Sequence, residues 1–73
     1  MNKAEFQIVE HIGTLSGGKV STELNIVEWG RMKPTYDLRR WKLNEGEKVP
    51  CKGLTLSADE LRALRDILNN MEI

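Results

Sequence analysis

Cysteine is almost missing from this chain: Cys51 stands alone among 73 residues. One thiol forms no intrachain disulfide and no thiolate metal cluster. Histidine is equally scarce, and with His11 as the sole imidazole the usual zinc ligand sets are excluded too. No apolar run approaches the length needed to cross a bilayer, and none follows Met1 in the manner of a secretory signal. Together with the unpaired thiol, these absences lead to the expectation of a cytoplasmic protein with no membrane contact. Net charge is lacking as well, since eleven basic side chains balance eleven acidic ones. The whole molecule therefore exerts no long-range pull on a polyanion.

The parts of an enzyme are also wanting. One histidine and one cysteine on separate segments supply no nucleophile, base and orienting group. Carboxylates are scattered among basic neighbours and not gathered for magnesium. Gly17-Gly18-Lys19 lacks both the glycine spacing and the following helix of a phosphate loop. The expectation is a protein without catalytic residues, cofactor, metal or small-molecule substrate.

Residues 1–73 make one domain, and a chain this short buries little interior. With disulfide and metal excluded, self-association into a homodimer is the remaining device for stability. Charge is unevenly placed. Between Arg31 and Lys52, seven basic residues face three acidic ones, an asymmetry that suits contact with a polyanion.

Turn signals at Ser16-Gly17-Gly18, Gly30 to Pro34 and Asn44-Glu45-Gly46 separate four segments that read as strands. The first spans about Ala4 to Leu15, with Phe6, Ile8 and Ile12 on one side and Gln7 and His11 on the other, His11 facing outward. The second spans about Lys19 to Trp29, with Val20, Leu24 and Ile26 on the even face and Ser21, Glu23, Asn25, Val27 and Trp29 on the odd one. The third spans about Thr35 to Lys42, with Tyr36 and Leu38 even and Asp37, Arg39 and Trp41 odd. The fourth is short, about Lys52 to Leu56. Short loops imply an antiparallel meander. Ser57 and Glu60 then form a capping box, followed by a helix whose Leu61, Leu64, Leu68 and Met71 make one apolar stripe. The fold expected is α+β: a four-stranded antiparallel β-meander and one C-terminal helix, ββββα.

A single helix covers one sheet face, and the even one, with its aliphatic rows, is the face expected beneath it. The odd face then stays open, carrying Trp29, Trp41 and Arg39, the combination that stacks unpaired bases and holds phosphates. Each tryptophan is alternatively a plug in a dimer interface, and Arg39 alternatively an ion pair with Asp37 or with a cross-strand glutamate. Arg31, Lys33 and Lys48 are loop cations suited to tracking a phosphate backbone. Lys52 fits simple alternation poorly, falling on the same side as Leu54 unless a bulge near Gly53 turns it.

The order Tyr36-Asp37-Leu38-Arg39-Arg40-Trp41, then Lys52-Gly53-Leu54-Thr55-Leu56-Ser57 entering an acidic-started helix, resembles the transcriptional coactivator positive cofactor four family, in particular its bacterial YdbC-like branch. Glu23-Leu24-Asn25, Trp29 and Pro34 extend the likeness upstream, so that it covers roughly Thr22 to Leu68. The resemblance implies a sheet-then-helix domain that dimerises through its helices and binds single-stranded DNA with little sequence preference. It implies nucleic-acid contacts at Arg39, Trp29 and Lys52, with Arg31 and Lys33 as basic turn positions. Cys51 departs from the basic residue of eukaryotic members, and their charged N-terminal tail is absent, so coactivation is not implied. RNA as the ligand, or a protein partner on the open face, are the alternative expectations.

Overall fold

The computed structural model describes residues 5–73, so Ala4, where the first strand was expected to begin, lies outside the described residues. Four antiparallel strands are hydrogen-bonded in sequence order: β1 (Phe6–Ser16), β2 (Val20–Trp29), β3 (Thr35–Asn44) and β4 (Glu47–Leu56). Helix α1 (Ala58–Asn69) follows. The expected ββββα order is borne out. None of the helices among the described residues is long and apolar enough to cross a membrane.

β3 and β4 form a longer hairpin than expected. Glu45 and Gly46 take φ of 53° and 82°, the paired left-handed residues of a two-residue turn matched to strand twist. Pairing therefore starts at Asn44 with Glu47, and β4 runs ten residues, not five. Its first half is hidden in the sequence because Glu47, Lys48 and Pro50 break the alternation. The helix begins as expected: the Ser57 hydroxyl accepts from the Glu60 amide at 3.1 Å, and the Glu60 carboxylate accepts from the Ser57 amide at 2.8 Å.

β1 slips against β2 between Ile8 and Glu10, between His11 and Gly13, and between Thr14 and Ser16. The skipped residues are Val9, Ile12 and Leu15, all exposed. Each slip inverts the alternation downstream. His11 consequently lies opposite Asn25, on the same face as Phe6 and Ile8, which corrects its expected outward position. A further slip in β4 sets Cys51 and Lys52 together opposite Arg40.

The helix packs where expected, touching β3 and β4 and facing Leu24 of the even row. It is not, however, the lid of the main core. No helix residue is buried, and Leu54 beneath it and Leu68 on it are 51% and 45% exposed. The deepest residues are Val27, Trp41, Asn25, Asp37 and Glu23, all on the odd face. The expectation of a bare odd face is thus overturned. The register slips bend the sheet, and a bent sheet wraps side chains on its inner face.

Candidate nucleic-acid interface

The inner face divides into an aromatic half and a polar half. At the aromatic half, Phe6 of β1 pairs with Trp29 at the end of β2, and its ring contacts both Trp29 (5.7 Å between centroids) and Trp41 (5.3 Å). The two indoles are nearly parallel, 6° apart in plane and 6.4 Å between centroids. Trp41 is 1% exposed. Its ring offers no surface to a base, which overturns the stacking expected of Trp41 and leaves Trp29 as the candidate. Both indole N–H groups are buried with no acceptor among the described residues. An unpaired buried donor is costly, which makes these groups ready for an acceptor.

Arg39 lies over the Trp29 ring, its guanidinium carbon 4.6 Å from the centroid. Its Nε and one terminal nitrogen donate to the two oxygens of Asp37 at 2.7 and 2.8 Å, and the other terminal nitrogen donates to the Cys51 carbonyl at 3.0 Å. Asp37 is fully buried, so this fork is an interior ion pair and not the surface pair weighed from sequence. Arg39 is thus held in place by three of its five N–H groups, and the other two have no acceptor among the described residues. Gly53 opposite it has no room for a side chain: a Cβ there would overlap the Cβ of Arg39 and lie 2.7 Å from the Leu38 carbonyl oxygen. Sequence reasoning placed this glycine in a motif without seeing the reason.

Beside this cluster, Trp29, Met32, Thr35, Arg39 and Thr55 line a cleft of about 330 Å³. The turn that forms its rim depends on Gly30, whose φ of 55° suits glycine, with the Met32 amide donating back to the Trp29 carbonyl at 2.9 Å. Arg31 and Lys33 stand exposed on that turn. Met32, Thr35 and Thr55 were not singled out from the sequence, since only the turn after β2 and the β2–β3 and β3–β4 registers bring them to Trp29.

The polar half centres on Glu23. Its carboxylate accepts from Lys48 at 2.8 and 3.0 Å, from the Ser21 hydroxyl at 2.6 Å and from the Asn25 amide at 3.2 Å. Burial pushes the Glu23 carboxyl up, but the bonds from Lys48, Ser21 and Asn25 and the Lys48 charge prevail and hold it down at about 2. The Asn25 carbonyl oxygen accepts from His11 Nδ1 at 2.6 Å, which leaves His11 Nε2 to accept from Thr14 at 3.0 Å. Lys48, expected to hold phosphate, is therefore already occupied by a carboxylate.

The sequence-predicted set is split. Trp29, Arg39 and Trp41 meet on the inner face, with Arg31 and Lys33 at its rim, while Lys48 is tied to Glu23 beyond β3. Lys52 is on the other side of the sheet: Gly53 faces Arg39, so Lys52 and Leu54 flank it on the helix side. Leu61 and Leu64 of the expected dimer stripe are half-buried, whereas Leu68 and Met71 are exposed.

No family model matches the chain. A protein of Treponema pallidum (strain Nichols), whose name is "uncharacterized protein", is 36% identical over 70 residues, an overlap covering 93% of this chain and 80% of that protein.

Proposed function

This chain belongs to the same family as the Treponema pallidum protein, and we propose that it is a non-enzymatic, cytoplasmic, positive-cofactor-four-like module that binds single-stranded DNA without sequence preference, as a homodimer. The observation that carries this reading is the Trp29 cleft. It joins an indole, a guanidinium fixed over it, two threonine hydroxyls and a methionine whose neighbours in the turn, Arg31 and Lys33, are exposed. An aromatic surface among cations accepts any base by stacking and any strand by its phosphates. Neither Arg31 nor Lys33 has a carboxylate partner among the described residues. The half-covered helix supports the dimer, because a stripe of Leu61, Leu64, Leu68 and Met71 with no buried member is apolar surface awaiting a second copy.

Titration with oligo-dT at rising salt, followed by tryptophan fluorescence, tests the reading. The wild type is expected to show quenching and an affinity that falls steeply with salt. Trp29→Ala should weaken binding by about 1–3 kcal/mol, the cost of one stacked base. Unchanged affinity in Trp29→Ala, or no quenching by any oligonucleotide in the wild type, would sink the assignment.

A further inference from the structure

We infer that the helix side of the sheet carries a second phosphate-binding surface, formed by Arg40, Lys42 and Lys52, that contacts a nucleic-acid backbone without touching bases. It goes beyond the Trp29 cleft and does not depend on it.

Registers locate the three residues. Along the even rows, Tyr36 and Leu56 come first, then Leu24, Leu38 and Leu54, where the helix packs. The next row holds Thr22 and Arg40, with Lys52 in the β4 slip opposite Arg40, the one after it holds Val20, Lys42 and Val49, and Asn44 and Glu47 close the hairpin. Arg40 and Lys42 are two residues apart on one strand, so their backbones are about 6.6 Å apart on one face. Lys52 is one strand over, at roughly 4.8 Å. Three like charges thus occupy adjacent positions beyond the end of the helix-covered rows, and all three are exposed.

None has a carboxylate within ion-pair distance among the described residues. The contrast with the inner face is sharp. There Arg39 is matched by Asp37 and Lys48 by Glu23. Of the even-face acids, Glu10 and Glu28 stand far off, opposite or beside Ile26 and Val27, and Glu47, opposite Asn44 in the row beyond Lys42, is already engaged. Like charges on neighbouring strands repel and lower stability, so folding gives no reason for this cluster in a chain of zero net charge. An external polyanion does. The flanking side chains are Val20, Val49 and Thr22, with no aromatic ring on which a base would stack. Cations without a stacking partner suit phosphates, the sequence-independent part of nucleic-acid contact.

Inorganic polyphosphate, which has charge but no bases, is the direct probe. The full chain should bind it at low salt. The variant R40Q/K42Q/K52Q should lose at least tenfold. A charge-preserving variant, R40K/K42R/K52R, should retain binding, and circular dichroism should show all variants folded alike. With oligo-dT, the glutamine variant should keep tryptophan quenching, while its log–log salt slope falls by about 2, from three lost contacts at about 0.7 each. Polyphosphate binding that survives the glutamine changes, or is lost equally in the charge-preserving variant, overturns the inference. Failure of oligo-dT to quench tryptophan, with the polyphosphate results as stated, removes the Trp29 reading and leaves this surface standing.

Discussion

Asp37 and Arg39 show how the meaning of a residue pair depends on depth. Alternation along β3 was enough to put both on one face. It was not enough to show that Asp37 is fully buried, because burial there comes from a sheet bent by slips in other strands. A forked pair at the surface contributes roughly 0–1 kcal/mol. An interior one that loses a partner leaves a stranded charge, at about 3–5 kcal/mol. Asp37→Asn should therefore lower unfolding free energy by about 3 kcal/mol in urea titration, and a loss under 1 kcal/mol would mean the pair is effectively solvated. Gly53 belongs to the same local structure. Its Lys-Gly motif was legible, but only the paired strand reveals that Arg39 folds across the space where a Cβ would sit. Gly53→Ala should cost about 1–3 kcal/mol as overpacking and should also raise the solvent exposure of the Trp29 ring, visible as a red-shifted emission.

Among elements, α1 was the most legible and β1 the least. The helix announces itself through local chemistry, a serine three residues before a glutamate and apolar residues at helical spacing, all of which operate within one or two turns. β1 has no such local rule. Its slips depend on how β2 twists beneath it, so the facing of His11 could not be read from alternation. The weak seat of the helix has its own consequence. Leu68 and Met71 are exposed in the protomer, and in the proposed dimer they are covered by the second copy. Leu68→Glu should leave the helical circular dichroism largely intact while shifting sedimentation at micromolar concentration from dimer to monomer. Identical sedimentation of variant and wild type would remove the helix from the interface.

On the scale of the whole molecule, the Glu23 network links β1, β2 and β4 across β3 and fixes how stability responds to acid. The Glu23 carboxyl titrates near 2 in the folded state against 4.5 ordinarily. The folded chain therefore binds its proton less readily than the unfolded one, and the ionised carboxylate stabilises the fold fully above pH 4.5. That contribution, on the order of 3 kcal/mol, is lost as pH falls from 4.5 towards 2. Glu23→Gln should flatten this acid limb of the stability curve, and a limb of unchanged steepness would place the response on other carboxylates.

The slips of β1 reach further than the curvature they produce. An outer strand with regularly spaced free amides and carbonyls is a template onto which another molecule zips, and repetition yields fibres. Here the spacing is broken after every two or three residues, at Val9, Ile12 and Leu15. A straight incoming strand finds no continuous run of donors and acceptors. Three outward-turned aliphatic side chains, which on a regular edge would invite polymerisation, thus stand on a border that refuses to be extended.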